Sequence, residues 1–226
     1  MTMSGCSSGL GNGAVTHSLC LGCGLCAKAC SYGAIMMEES LMPGGQTWKN
    51  PTFDPAKCTH CGRCAVACAS GTIRQEDMER LVEEALARPV RNMVFICEQQ
   101  SLLMGTALQR GEVPRTMPLN AACMYPRLEE LPVPPDTRLE LVRGACRVSS
   151  RILYGLMRAG VRNIKVYACP AGTCPHKGRP CLAPAHVLGL ADTLSQYGIT
   201  GFRLELSTAV PADPGSLAQD IAEFCA

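Results

Sequence analysis

Apolar and polar positions follow two different rhythms on either side of residue 76. Beyond it, apolar runs of strand length recur at residues 93–96, 139–142, 164–167 and 202–206. Between and after them, residues 149–159, 185–197 and 216–224 carry helical patterns. An earlier helical stretch, residues 76–88, opens with Glu76 and Asp77 and closes with Arg88, the charge order a helix dipole prefers, and Pro89 stops it. Strands alternating with helices predict an α/β domain over residues 76–226, with a parallel sheet flanked by helices.

Residues 20–75 have a different texture, an internal repeat. CLGCGLCAKACSYGAI (residues 20–35) matches CTHCGRCAVACASGTI (residues 58–73) at every cysteine. It also matches at Gly24/Gly62, Ala27/Ala65, Ala29/Ala67, Gly33/Gly71 and Ile35/Ile73. The segment between the copies holds Pro43, Gly44, Gly45, Pro51 and Pro55 and predicts a loop or hairpin insertion. Residues 1–19 read as a flexible arm, rich in Gly and Ser. Three parts result: an arm at 1–19, a cysteine module at 20–75 and the α/β domain at 76–226. The module is expected to have a small α+β fold.

Composition narrows the chemistry. At 47% hydrophobic and 18% charged, the chain expects packed cores rather than disorder, built on aliphatic side chains because aromatics make up only 4%. The 21 basic and 19 acidic residues balance closely, which gives no electrostatic case for binding nucleic acid. Sixteen cysteines are the outlier, and they fit either a disulfide scaffold or a metal protein. The first eighteen residues have no cationic start and no apolar core, so they do not read as a signal peptide, and no apolar run is long enough for a membrane span. A cytoplasmic location is therefore expected. There, reduced thiols at this density favour metal.

The repeat has the form C-x2-C-x2-C-x3-C, twice: Cys20, Cys23, Cys26, Cys30 and Cys58, Cys61, Cys64, Cys68. A cubane cluster needs one thiolate for each of four irons. Spacings of two let three sulfurs turn inward from a tight loop, and the fourth cysteine of each run serves the other cluster. The expected sets are Cys20, Cys23, Cys26 and Cys68 for the first [4Fe–4S] cluster. Cys58, Cys61, Cys64 and Cys30 would hold the second. Gly22, Gly24 and Gly62 suit loops that turn amide N–H groups toward sulfur. Zinc or disulfides compete, but duplication of the whole four-cysteine run has no zinc-site rationale. His60, between two ligands, reads as a solvated loop residue, the alternative being a hydrogen-bonding or proton-accepting neighbour of a cluster.

These residues resemble the bacterial two-cluster ferredoxin family. One departure stands out: Ser31 and Ala69 follow the fourth cysteines, where the family usually has Pro. Freely diffusing members are acidic, whereas this module sets Lys28, Lys49, Lys57, Arg63 and Arg74 against Glu38, Glu39 and Asp54. That balance suits docking to a partner.

In the α/β domain, Cys97, Cys146 and Cys169 each follow a strand run, and Cys174 shares the loop of Cys169. Functional sites of open parallel sheets collect at the carboxyl ends of strands, so all four cysteines are expected on one edge. They could hold a [2Fe–2S] cluster there. Equally, they could be small buried side chains, as free cysteines often are. Residues 131–178, LPVPPDTRLELVRGACRVSSRILYGLMRAGVRNIKVYACPAGTCPHKG, resemble the delta, iron–sulfur subunit of methyl-viologen-reducing hydrogenase. The likeness rests on Pro134 and Pro135, Cys146 and Arg147, then Cys169, Cys174 and His176, and extends from Val94 to the C-terminus. It implies a [2Fe–2S] cluster and anaerobic metabolism. It also implies electron relay between a hydrogenase or formate dehydrogenase and a heterodisulfide reductase A-like flavoprotein. The family's first motif is rich in cysteine, and here Ile96-Cys97-Glu98-Gln99-Gln100 keeps only Cys97. Cys181 is a possible substitute ligand. Cys123 and Cys225 read as structural and Cys6 as a bystander in the arm.

No G-x-G-x-x-G phosphate loop after a strand, P-loop, flavin signature or catalytic constellation is found. The glycines of residues 8–13 lack a preceding strand. The expected function is a non-catalytic electron-relay subunit. Its rivals are a freely diffusing ferredoxin-type carrier and a thiol/disulfide reductase working at the Cys169/Cys174 loop.

Overall fold

The computed structural model describes residues 19–41, 44–98, 131–169, 174, 180–208, 211 and 214–226. The arm with Cys6 and residues 8–13, together with Pro43, Gln99, Gln100, Cys123 and His176, lies outside the described residues. Contacts divide the chain into one unit up to Leu81 and one from Val82 onward. Among the described residues, no helix is long and apolar enough to cross a membrane.

The first unit is built on the repeat. Helix α1 (Leu25–Ala29) follows Gly24, and helix α2 (Arg63–Val66) follows Gly62. The linking segment is an antiparallel hairpin, β1 (Ile35–Leu41) and β2 (Thr47–Phe53), with Ile35 opposite Phe53. Its buried core is Cys26, Ile35 and Ile73, with Cys30, Met37, Phe53, Cys64 and Cys68 packed against it. With Ala27 and Ala65, which also pack there, four of the ten are cysteines. So small a module has little aliphatic core, and groups bound by those sulfurs would supply much of its folding energy.

Helix α3 (Glu76–Ala87) forms where its charge pattern placed it. The second unit then alternates as expected: β3 (Asn92–Cys97), β4 (Thr137–Val142), a 3-10 turn (Ala145–Arg147), α4 (Ser150–Arg158) and β5 (Asn163–Tyr167). Helix α5 (Ala183–Gln196), strand β6 (Arg203–Ser207) and helix α6 (Pro214–Cys225) complete it. All strand pairs are parallel, in the order β4-β3-β5-β6. Every residue of β3 is buried, as an inner strand covered on both faces requires. Val94, Ile96 and Tyr167 pack against Leu217 and Ile221 of α6. Ser149 caps α4, its hydroxyl accepting from the Ile152 amide at 3.5 Å.

The two ends of this sheet differ in chemistry. The amino ends carry an amide ladder, Asn163 Nδ2 to Asn92 Oδ1 at 2.8 Å and Asn92 Nδ2 to Thr137 Oγ1 at 3.2 Å. The carboxyl ends carry Cys97, Cys146 and Cys169. The chain leaves β3 toward β4 on one side, then crosses back to β5 and on to β6. Strands β3 and β5 therefore flank a switch point, where open α/β sheets bind ligands.

Candidate iron–sulfur sites

In the first unit the repeat is a repeat of backbone as well as of sequence. Left-handed φ angles recur at equivalent positions: Gly22 (62°) and His60 (56°), Gly24 (70°) and Gly62 (75°), Gly33 (62°) and Gly71 (67°). This conformation bends each loop so that its sulfurs face inward. At Gly22 a side chain is excluded twice over, since an added Cβ would lie 2.9 Å from the Lys49 carbonyl oxygen. His60 is half-buried and adopts the same backbone at a conformational cost that glycine avoids.

One cavity is lined by Cys20, Cys23, Cys26 and Cys68, the fourth thiol coming from the other run. Burial, then the neighbouring Cys68 and Cys20 sulfurs, push the Cys26 thiol above its ordinary value. The other four gather likewise: burial, then the charges of Cys61, Cys58 and Cys30, push Cys64 up to about 12. Thiolate sulfurs crowded into an apolar site repel one another, so a cationic metal centre is what would let them share it. Donors already face them. The Gly22 amide lies 3.5 Å from Cys20 Sγ and the Ala34 amide 3.3 Å from Cys30 Sγ. Ser31 Oγ and Thr59 Oγ1, next to Cys30 and Cys58, are buried without a hydrogen-bond partner in the protein. A bound acceptor such as cluster sulfide would relieve that cost. Among the described residues no three His, Cys, Asp or Glu side chains converge on a single ion. A cubane asks for no such convergence, because each thiolate takes its own iron. The donor set fits [4Fe–4S] clusters.

The sequence reading missed one feature of the first cavity. Ser70 and Thr72 line it, and Ser70 Oγ lies 3.5 Å from Cys68 Sγ and hydrogen-bonds to Thr72 Oγ1. Burial raises the Cys68 thiol. Hydrogen bonds from the Ser70 hydroxyl and the Ile73 and Thr72 amides, with the Thr72 hydroxyl close by, outweigh it and hold the group below its ordinary value. The available signal was the repeat itself, which has Tyr32 and Ala34 at these two positions.

In the second unit, Cys97 ends β3 and Cys169 lies two residues beyond β5, their sulfurs 3.7 Å apart and both buried. Hydrogen bonding to Cys174, then to Cys97, together with burial, pushes the Cys169 thiol far up. Three of the four expected thiols are thus neighbours. Cys146, also buried, sits in the 3-10 turn that lies against β3 on the same edge. Arg147 beside it is buried, and with Arg143 it acts on Glu98, whose carboxyl burial nevertheless raises. Cys181 is half-buried just before α5. Cys225 lies at the opposite end of the sheet, 3.7 Å from the Thr137 hydroxyl that starts β4. Grouped thiols beside a buried guanidinium make a donor set that fits an iron–sulfur cluster.

Comparison with known families agrees with this division. The 4Fe-4S dicluster domain family matches residues 19–72. The family described as methyl-viologen-reducing hydrogenase, delta subunit, matches residues 119–226. The chain thus carries a region matching the 4Fe-4S dicluster ferredoxin family, followed by a region matching the hydrogenase delta-subunit family. The second match begins well after Cys97, so the first of the four edge thiols lies outside it. No curated protein matches the chain.

Proposed function

We propose that this protein is an electron-relay subunit. It passes single electrons between a hydrogenase- or formate dehydrogenase-type unit and a heterodisulfide reductase A-like flavoprotein, within a cytoplasmic complex. Cys20, Cys23, Cys26 and Cys68 hold one [4Fe–4S] cluster, and Cys58, Cys61, Cys64 and Cys30 the other. Cys97, Cys146, Cys169 and Cys174 hold a [2Fe–2S] cluster at the sheet edge. When bound, such clusters supply reversible one-electron storage and transfer.

The observation that carries this reading is the cavity lined by three thiols of one run and the fourth thiol of the other. The chain's own work there is to bind, to exclude water and to aim donors at sulfur. Buried Cys26, Ile35 and Ile73 keep the site dry, and the Gly22 and Ala34 amides face Cys20 and Cys30. Cluster ligation displaces protons, so burial that favours neutral free thiols also favours a cationic centre that neutralises the thiolates. A reductase at Cys169 would need an accessible thiol of lowered pKa. Cys169 is buried and shifted the other way.

The test is metal and sulfide analysis with EPR on anaerobically purified protein. The expected result is about ten irons, eight in the ferredoxin module and two at the sheet edge. Zinc in place of iron would overturn the reading. Mass spectrometry of complexes isolated under anaerobic conditions should find a flavoprotein bound, and a chain that isolates alone would remove the relay role.

A further inference from the structure

The two cysteine runs are copies, so where they differ one cluster site is chemically distinguished from the other. Position by position, the fourth cysteines Cys30 and Cys68 correspond. So do Tyr32 and Ser70, and Ala34 and Thr72. Both runs direct backbone amides at the fourth sulfur: Ala34 N–H to Cys30, and the Thr72 and Ile73 amides to Cys68. The second run adds two hydroxyls at these positions. Ser70 Oγ lies 3.5 Å from Cys68 Sγ, and Thr72, which is 2% exposed, hydrogen-bonds to Ser70. Both residues line the same cavity as Cys20, Cys23 and Cys26.

We propose that Ser70 and Thr72 form a hydroxyl relay that sets the reduction potential of the cluster held by Cys20, Cys23, Cys26 and Cys68, raising it above the value the backbone amides alone would give. The inference rests on the reading of that cavity as a [4Fe–4S] site. In the free protein either partner of the Ser70–Cys68 contact can donate. An iron-bound cysteine sulfur carries no proton, so Ser70 must donate to it, which leaves the Ser70 oxygen to accept from Thr72. The chain then runs in one direction, Thr72 to Ser70 to Cys68, and each bond polarises the next. A donor aimed at sulfur stabilises the form that carries more negative charge, the reduced one, and hydrogen bonds to the sulfurs are among the determinants of cluster potential. Tyr32 and Ala34 offer no equivalent short hydroxyl pair to Cys30. The copies thus keep the same ligand geometry while differing in field, which is how a duplicated module acquires two unequal electron sites. Ser70 and Thr72 are positioning residues, since they act through Cys68.

The test is an EPR-monitored redox titration of full-length anaerobic protein, with iron content measured on each sample. Wild-type protein with eight ferredoxin irons and two cubane signals establishes the underlying reading, and its absence there would fail that reading independently of this one. With full iron content, Ser70→Ala should move one cubane to lower potential and leave the other in place. Thr72→Val should move the same cubane in the same direction by less, and Ser70→Thr should restore the wild-type value. Unchanged potentials in both Ser70→Ala and Thr72→Val would overturn the relay. So would equal movement of both clusters, or loss of iron in Thr72→Val together with failure of Ser70→Thr to restore the potential.

Discussion

The two groups of thiols are brought together by opposite routes. In the ferredoxin module, three sulfurs of each set come from one short loop, and left-handed positions such as Gly24 and Gly62 fold them inward. At the sheet edge, Cys97 and Cys169 are 72 residues apart in sequence, and their sulfurs still lie 3.7 Å from each other. No local turn brings them there. They meet because β3 and β5 are neighbours in register, with Ile96 opposite Tyr167. A loop site is written in spacing and fails locally. A sheet-edge site is written in topology and fails when the sheet does.

The largest effect that could break this contrast lies in the exchange of ligands between runs. Cys68→Ala should remove about four irons, and the lost cubane should be the one bound by Cys20, Cys23 and Cys26. Cys30→Ala should remove the other. Iron analysis with EPR of each variant decides the matter, and loss of the cluster of the cysteine's own run would end the crossed assignment. Next in size is Cys169→Ala, which should cost about two irons and the [2Fe–2S] signal while both cubane signals persist. A Cys169→Ala variant with an unchanged iron count would make the edge thiols ordinary core residues.

How much of this could be read from sequence follows from the same contrast. The eight ferredoxin cysteines were legible because their spacing encodes chemistry directly. The strands and helices of the second unit were legible because apolar runs and helical periods survive in sequence. Helices α1 and α2 were not, since they span too few residues to show a period and owe their start to Gly24 and Gly62. The expectation that the edge thiols share one side followed from strand polarity alone. Which of them touch did not, because the order β4-β3-β5-β6 is a tertiary fact. Ser70 and Thr72 escaped notice because two hydroxyls look like ordinary loop residues until their distance from Cys68 is known.

A smaller effect probes whether the sheet itself holds. Lys165, buried on β5, reaches Asp220 of α6 at 2.9 Å and Glu205 of β6 at 2.7 Å. The Tyr167 hydroxyl also donates to Asp220. Burial, then the bond to Asp220, raises the phenol, which stays protonated and keeps donating. Asp220→Ala leaves Lys165 with one carboxylate and should cost about 2 kcal/mol. Amide exchange in β5 should then run about 30-fold faster, and exchange in the ferredoxin hairpin should not change. Burial works to raise the Asp220 carboxyl, but the Tyr167 and Lys165 hydrogen bonds prevail and hold it below the ordinary 3.8. A depressed acid stabilises above its unfolded value and loses that contribution only as pH falls through the folded one. The difference between wild type and Asp220→Ala should therefore stay constant from pH 8 to about 5. A difference that shrinks within that window would mean that the carboxyl is not held low.

The finest distinction is within the repeat, between Gly22 and His60. Both sit one residue before the second cysteine of their runs, and both have left-handed backbone. At Gly22, alanine would add the left-handed penalty and bring its Cβ within 2.9 Å of a backbone oxygen, which cannot swing away as a side chain would. Gly22→Ala should destabilise the first loop by about 1–2 kcal/mol. At His60 the penalty is already present in the native chain. His60→Gly removes it but adds freedom to the unfolded chain, so the two effects should cancel to within about 0.5 kcal/mol. The measurement is the rate at which each variant loses cubane absorbance to an iron chelator under anaerobic conditions, which reports opening of the loop. Gly22→Ala should lose one cluster roughly tenfold faster than wild type, since each 1.4 kcal/mol is a factor of ten, and His60→Gly should match wild type. Equal loss rates in the two variants would show that hairpin packing, rather than the loop backbone, controls release. The first unit would then fail through tertiary structure, as the second does, and the contrast between a loop site and a sheet site would no longer hold.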